Sequence, residues 1–131
     1  KPNKYELATY FGISQSCSNE EIISLAKTLL NEECRLVVVS MGKEGSIFLS
    51  HEGVYQAEAL HIQAHSSVGA GDAMVAAIAY ALEQNNTMEQ LIALAVACSA
   101  GAVMTKGTQP AEKAVVEKLM KQVTIKKLEE I

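Results

Sequence analysis

The chain has 131 residues, of which 49% are apolar and 20% charged, and its formal net charge is −4. This length suits one domain with a single core, and the composition fits a globular protein. Arg35 is the only arginine. A nucleic-acid surface needs clustered cations to displace counterions, so no nucleic-acid partner is expected.

The cysteines and the apolar tracts indicate the redox compartment of the chain and whether it crosses a membrane. Cys17, Cys34 and Cys98 lie far apart and form no CxxC pair. This pattern predicts free thiols in a reducing cytoplasm rather than a disulfide framework. The longest apolar tracts, 73–82 and 91–104, are shorter than a membrane span, which predicts buried helices and no membrane partner.

The first half of the chain predicts two helices, a strand and a hairpin. Residues 4–10 indicate a short helix ended by Gly12, and SCSNEEIISLAKTLLNEE predicts an amphipathic helix capped by Ser18 or Asn19. The β-branched run RLVVVSMG predicts a strand buried on both faces, as in a parallel sheet. GSIFLS, the turn HEG and VYQAEALHIQA predict a hairpin with polar alternation, and His61 falls in its second strand.

The second half of the chain predicts three helices and a last strand. A helix is expected from about Asp72 to Gln84, and Thr87 caps the next one, MEQLIALAVACSAGAVM, with Glu89 and Gln90 placed for a capping arrangement. TKGTQP is a predicted loop, AEKAVVEKLMKQ a helix and VTIKKLEEI a short terminal strand. This order of elements indicates an α/β domain.

The turn Gly69-Ala70-Gly71-Asp72 holds the only aspartate of the chain. First-turn amides of a helix have no internal partner, and the helix dipole adds positive potential, so such a turn can bind an anion. A carboxylate at this place favours its ionised form and could accept a proton from an attacking hydroxyl. The alternative is an ordinary tight turn in which Asp72 is the N-cap.

Three ordered segments resemble the PfkB/ribokinase family of carbohydrate kinases. SVGAGDAMVAAIAYAL is similar to the family's GAGD signature, KPNKYEL to its N-x-x-E segment and VVVSMGKEGSIF to its S-x-G-x-x-G segment. AVMTKGTQ is similar to the loop on the adenine side. The resemblance implies that residues 1–131 are the C-terminal portion of a ribokinase-like three-layer α/β/α domain, with the N-terminal half and its lid absent.

The resemblance also implies a role for each matching residue. Asp72 would be the catalytic base, and the backbone of the turn would hold the transferred phosphate closely because its residues are small. ATP and Mg²⁺ are the implied cofactors, with Mg²⁺ held through water. The implied sites are as follows: catalytic turn, Gly69, Ala70, Gly71 and Asp72; nucleotide, Ser40, Gly42, Gly45, Gly107 and Thr108; metal, Asn3 and Glu6.

Several of these residues have simpler interpretations. Asn3 and Glu6 could be the cap and third residue of a helix, and SMGKEG could be a plain turn between strands. Cys98 is more typical of a small buried hydrophobe than of a nucleotide contact. The three histidines lack metal spacing. His65 precedes the glycine turn, where a solvated loop position is the main expectation.

The expected activity is ATP-dependent phosphoryl transfer to a hydroxyl of a sugar phosphate, of the fructose 1-phosphate or tagatose 6-phosphate type. The alternatives are a ribokinase-like kinase of a free sugar, nucleoside or vitamin, and a non-catalytic nucleotide-binding domain. The 131 residues alone are expected to be inactive. The resemblance is compatible with a homodimer of the full-length protein.

Overall fold

The computed structural model describes residues 1–107 and 109–130 and contains two compact units. Unit 1 comprises Lys1–Glu58 and the chain from Lys126 onward, and unit 2 comprises Ala59–Ile125. The helices are α1 Lys4–Phe11, α2 Asn19–Lys27, α3 Ala70–Glu83, α4 Met88–Met104 and α5 Lys113–Met120. The strands are β1 Leu36–Ser40, β2 Ser46–Ser50, β3 Gly53–Ala57 and β4 Ile125–Glu129.

Unit 1 is built on a four-stranded sheet in the order β1-β2-β3-β4. β1 pairs antiparallel with β2, and β2 pairs antiparallel with β3. Short connections allow this meander, because antiparallel neighbours can be joined by tight turns. Val38, Phe48 and Tyr55 occupy matched positions across the three strands and are all buried.

Helices α1 and α2 pack against one face of this sheet. The Lys4 Nζ atom donates to Asn19 Oδ1 at 3.0 Å and joins the starts of the two helices. Burying a whole aliphatic side chain contributes about 1.5–3 kcal/mol, so the shared core dominates the stability of the unit. That core consists of Leu7, Ala8, Cys17, Ile22, Ala26, Val37, Val39, Met41, Ile47, Leu49 and Val54.

The elements of unit 1 follow the sequence prediction with four corrections. The helix expected within 16–33 ends at Lys27, and in the loop that follows Asn31 Oδ1 accepts from the amides of Glu33 and Cys34. β1 is buried on both faces as predicted, but its partner β2 runs antiparallel. β2 is buried at all five positions rather than alternating, and β3 ends at Ala57, so the expectation of His61 in a strand is wrong.

Unit 2 is helical through most of its length. α3 and α5 both pack against α4. α3 buries Met74, Ala77 and Ala81, which recur at the spacing of one helix face. At Gly101 a Cβ atom would lie 2.6 Å from Ala111 Cβ, so the absence of a side chain lets the chain before α5 cross α4 closely.

The predicted helix starts of unit 2 are partly corrected. α3 begins at Ala70 with Gly69 as N-cap, so Asp72 is the third helical residue and the interpretation of Asp72 as N-cap is wrong. Thr87 caps α4 as predicted, and of the two candidates it is Gln90 that completes the capping box. The terminal strand is confirmed as β4. Thr108 lies outside the described residues.

In the described part of the chain, no helix combines the length and the apolar character that are needed to cross a bilayer.

Candidate functional site

The start of α3 is an open glycine turn. Gly69 has φ +90° and ψ −10°, a left-handed backbone that glycine adopts without the strain of a side chain. The helix closes its first hydrogen bond between the Ala73 amide and the Gly69 carbonyl at 2.9 Å. The amides of Ala70, Gly71 and Asp72 donate no hydrogen bond to any other described residue. Three donors at the positive end of a helix dipole are therefore left for an external acceptor.

Asp72 contributes an exposed carboxylate to the same turn of helix. It is the only acidic residue in the first turn of α3, and its side chain makes no cap hydrogen bond. In the described residues its oxygens have no hydrogen-bond or ion-pair partner. A carboxylate with free oxygens at an anion-binding turn can accept a proton from a hydroxyl held close to it.

The end of α4 anchors the loop that leads into this turn. The Val103 carbonyl accepts from the His65 amide at 2.7 Å and from the Ser66 amide at 3.4 Å. The Ser66 hydroxyl in turn accepts from the Val68 amide at 3.1 Å. The sequence carries no signal for the role of Val103, because a backbone carbonyl acts there and any side chain supplies one.

Thr105 fixes the loop that follows α4. Its hydroxyl lies 2.8 Å from the Ala102 carbonyl and 2.7 Å from the Gln109 carbonyl, so it draws the two ends of the intervening loop together. Gly107 lies in this loop with φ +73°. The candidate Gly107 is therefore brought to the same end of α4 as the glycine turn, within unit 2.

In unit 1, Asn3 and Glu6 form a complete capping box at the start of α1. The Glu6 amide donates to Asn3 Oδ1 at 2.7 Å, and the Asn3 amide donates to Glu6 Oε1 at 3.1 Å. The alternative interpretation of these two residues as a helix start is thus confirmed. Both side chains are exposed, so the capping role does not bury them.

The turn after β1 brings the unit 1 candidates together. Ser40 makes a parallel bridge with Asn3, and its amide donates to the Pro2 carbonyl at 3.1 Å. Gly42 and Gly45 have φ +57° and +88°, and the Met41 amide donates to the Gly45 carbonyl at 2.8 Å. This geometry is that of a tight hairpin turn, which by itself explains both glycines.

The side-chain oxygens of Asn3 and Glu6, next to Ser40, suit a cation that keeps its water ligands better than one that the protein binds directly. Amide and carboxylate oxygens are ligands for Mg²⁺, which usually keeps several waters. Asn3 Oδ1 and Glu6 Oε1 already accept backbone amides, whereas Glu6 Oε2 has no partner among the residues described here. Within those residues no three His, Cys, Asp or Glu side chains converge on a metal position.

The histidines and cysteines are not part of the two glycine-containing turns. His51 Nε2 lies 3.2 Å from the Asn31 carbonyl in unit 1, while the side chains of His61 and His65 are exposed in unit 2. Cys17, Cys34 and Cys98 are free thiols. Partial burial raises the pKa of the Cys98 thiol, because burial disfavours the thiolate.

Cys98 lines an apolar groove of about 290 Å³ in unit 2. Ala73 and Tyr80 of α3, Leu94 of α4 and Val116 of α5 line the same groove. The Cys98 thiol makes no hydrogen bond within the described part of unit 2. Its surroundings are those of a small hydrophobe that packs between helices.

These two turns, each in its own unit, lie on an α/β chain. Residues 1–114 match the pfkB family of carbohydrate kinases. The match covers most of the chain, so the chain belongs to this family. The family resemblance predicted from the GAGD, N-x-x-E and S-x-G-x-x-G segments is confirmed.

Individual relatives lie among the sugar kinases. The chain is 35% identical over 130 residues to the 1-phosphofructokinase of Haemophilus influenzae, covering 98% of this chain and 41% of that protein. The structure of Escherichia coli phosphofructokinase-2 in complex with substrates and products has a TM-score of 0.83 and 26% identity, with 92% of this chain and 39% of that chain covered.

A plant structure extends the likeness to the ribokinase fold. Arabidopsis thaliana ribokinase complexed with ribose and ATP has a TM-score of 0.76 and 26% identity, with 92% of this chain and 39% of that chain covered. The predicted α/β, ribokinase-like fold class is therefore confirmed. The chain spans about two fifths of the length of these relatives.

Proposed function

We propose that this chain is the C-terminal, nucleotide-binding and catalytic-base portion of an ATP-dependent sugar-phosphate kinase. The acceptor is a hydroxyl of a phosphorylated ketohexose, of the fructose 1-phosphate or tagatose 6-phosphate type. Membership of the pfkB family and 35% identity to a 1-phosphofructokinase support this class. The observation that carries the mechanism is the start of α3, where three unoccupied amides lie beside an exposed carboxylate.

The transfer follows from the chemistry of that turn. The amides of Ala70, Gly71 and Asp72 donate hydrogen bonds to the oxygens of the transferred phosphoryl group and so stabilise its negative charge. Asp72 takes the proton of the sugar hydroxyl as the hydroxyl oxygen bonds to the γ-phosphorus of ATP, while the bond from that phosphorus to the bridging oxygen breaks and ADP leaves. Gly69 leaves the approach to the turn open, since no other atom lies within 4 Å of the position its Cβ would take.

The family resemblance assigns nucleotide contacts to Ser40, Gly42 and Gly45 of unit 1. It assigns them separately to Gly107 and Thr108, which belong to the sequence of unit 2. Asn3 and Glu6 would hold Mg²⁺ through water, using the oxygen lone pairs that the capping box leaves free, and the ion would supply positive charge to the nucleotide phosphates. The proposed setting is the cytoplasm, in line with the free thiols.

The test of Asp72 needs a kinase chain of full length. We suggest a chimera in which these 131 residues replace the matching segment of the Haemophilus influenzae 1-phosphofructokinase. Asp72→Asn keeps the size of the side chain and removes the base, so kcat for ATP-dependent phosphorylation of fructose 1-phosphate should fall by about 10²–10⁴-fold. Glu83→Gln, at the other end of α3, is the matched control and should leave kcat within about twofold.

The result separates the candidate roles of the carboxylate. Near-normal turnover of a folded Asp72→Asn chimera contradicts the proposed base. Nucleotide binding that persists without transfer by the unmutated chimera favours the non-catalytic alternative. The isolated 131 residues should show no useful kinase activity, and phosphorylation of a hexose phosphate by them alone would contradict the domain assignment.

A free sugar, nucleoside or vitamin is the second candidate acceptor. The likeness to a ribokinase solved with ribose and ATP favours it. An acceptor panel with ATP, run on a full-length protein that carries this sequence, distinguishes the two. A clear preference for ribose or a nucleoside over the phosphorylated ketohexoses would overturn the first choice.

A further inference from the structure

Thr105 follows the last residue of α4 and places its hydroxyl group between two carbonyl oxygens. The helix ends at Met104, and Thr105 has an extended backbone with φ −82° and ψ 154°. Its Oγ1 lies 2.8 Å from the Ala102 carbonyl oxygen and 2.7 Å from the Gln109 carbonyl oxygen. The single hydrogen of a hydroxyl group is thus shared between the end of the helix and the far side of the loop that follows α4.

The hydroxyl supplies a partner that the end of α4 otherwise lacks. The last carbonyl groups of a helix have no partner within it, and the last turn of α4 contains no basic side chain to donate to them. Ala102 is buried, so solvent reaches its carbonyl poorly. Threonine suits the position because its Oγ1 can reach the carbonyl three residues earlier.

The loop after α4 depends on this hydroxyl for its position. Among the described residues, no other hydrogen bond involves Lys106 or Gly107. Gly107 has φ +73°, and no atom lies within 4 Å of the position its Cβ would take, so packing does not hold the loop there. The chain is fixed again only where Ala111 packs closely over Gly101. The hydroxyl therefore determines where Gly107 lies relative to α4.

The same turn of α4 also fixes the segment that leads into the glycine turn. The next carbonyl along the helix belongs to Val103 and accepts from the amides of His65 and Ser66. Two neighbouring carbonyls of one helix end thus place both segments. The contact to the loop after α4 uses a side chain, whereas the contact from Val103 uses only backbone groups. A substitution at Thr105 can therefore release the loop alone.

We propose that Thr105 is a positioning residue for ATP. Its hydroxyl holds the loop after α4, and Gly107 within it, in the place from which the loop contacts the nucleotide. The inference rests on the proposed function, which assigns a nucleotide contact to Gly107, and deepens it by naming the side chain that places this contact. Because Thr105 acts through the loop, its loss weakens ATP binding and leaves the chemistry of Asp72 in place.

The chimera described above allows the test. Thr105→Val keeps the shape of the side chain and removes the hydroxyl, so KM for ATP should rise about fivefold, the factor that corresponds to one hydrogen bond of ordinary strength. KM for fructose 1-phosphate and kcat should stay within about twofold, because the lost contact stabilises the bound nucleotide and the transition state equally. Thr105→Ser retains the hydroxyl and should keep KM for ATP within about twofold of the unmutated value.

Thr87→Val is the matched control, since it makes the same replacement at the other end of α4 and removes the N-cap hydroxyl. It should lower stability and leave KM for ATP within about twofold. Trypsin cleavage after Lys106, an exposed residue of the loop, gives a second readout. Thr105→Val should speed this cleavage about fivefold, and Thr87→Val should not change it. Thr105→Ala carries the same expectations as Thr105→Val, should circular dichroism show that the valine variant does not fold.

The outcomes separate a positioning role from a structural one. A lower kcat with an unchanged KM for ATP, as a smaller folded fraction gives, overturns the proposal. A Thr105→Ser variant as impaired as Thr105→Val overturns it as well, and so does unchanged cleavage after Lys106. An unmutated chimera that transfers no phosphate from ATP rejects the proposed function and this inference with it. An active chimera whose KM for ATP does not respond to Thr105→Val rejects this inference alone.

Discussion

Two helix starts of this chain are built in opposite ways, although both lie in candidate site segments. At α1 the amide of the third residue, Glu6, donates to Asn3 Oδ1 at 2.7 Å. The Asn3 amide in turn donates to Glu6 Oε1 at 3.1 Å. At α3 the third residue is Asp72, and neither its amide nor its carboxylate has a partner among the described residues. The cap residue Gly69 has no side chain with which to supply one.

The difference shows which of the two starts serves the stability of its helix. A side-chain cap is worth about 1 kcal/mol, and α3 does without it. The stability of α3 comes from packing of Met74, Ala77 and Ala81 instead, as expected where tertiary contacts outweigh local signals. α3 lacks a side-chain cap without an evident structural gain, and such a departure from local preference is typical of a functional site.

The largest expected effect concerns the cap of α3. Gly69→Val places a β-branched side chain at φ +90°, and this strain should lower the free energy of unfolding by about 2 kcal/mol. Since nothing lies within 4 Å of the Cβ position, the loss is one of backbone strain and not of collision. Urea unfolding of the isolated chain, followed by circular dichroism, measures it.

Gly71→Ala is the matched control for that variant. Gly71 lies inside α3, where alanine is favoured over glycine, so the replacement should raise stability by about 0.5 kcal/mol. Opposite signs at two glycines of the same turn would confirm that only Gly69 is fixed by its backbone. Equal losses at both would contradict the helix start at Ala70.

The capping box of α1 gives the next effect in size. Asn3→Ala removes the acceptor for the Glu6 amide and should cost about 1 kcal/mol. Hydrogen exchange should show the loss as faster exchange of α1 amides, with α3 amides unchanged. Thr87→Ala removes the corresponding cap of α4 and should cost a similar amount in unit 2. A loss below a few tenths of a kcal/mol at Asn3 would contradict the box.

Much of the fold could be predicted because its signals are local. Ser18 and Thr87 cap the helices that their positions indicate, and Gly12 ends α1 in a left-handed conformation. The length of β3 and the direction of the partner of β1 could not be predicted. Both depend on which strand pairs with which, and a continuous apolar run is compatible with either direction.

The candidate site could be predicted in part. The residue types of Asn3 and Glu6 are those of a cap and of a cation site alike, so the sequence allows both interpretations, and the structure shows the capping box. The contact from Val103 to His65 and Ser66 has no sequence signature because it is made by backbone groups.

The smallest expected effect is the most decisive for the contrast between the helix starts. Asp72→Ala should cost at most about 0.5 kcal/mol in the isolated chain, because the carboxylate caps nothing and interacts only with the helix dipole. Added salt should abolish this loss by screening, whereas the loss from Asn3→Ala should persist. A loss of about 1 kcal/mol or more at Asp72 that salt does not reduce would mean that the carboxylate is a structural group. The start of α3 would then be closed like that of α1, and Asp72 would no longer be free to take a proton from a hydroxyl.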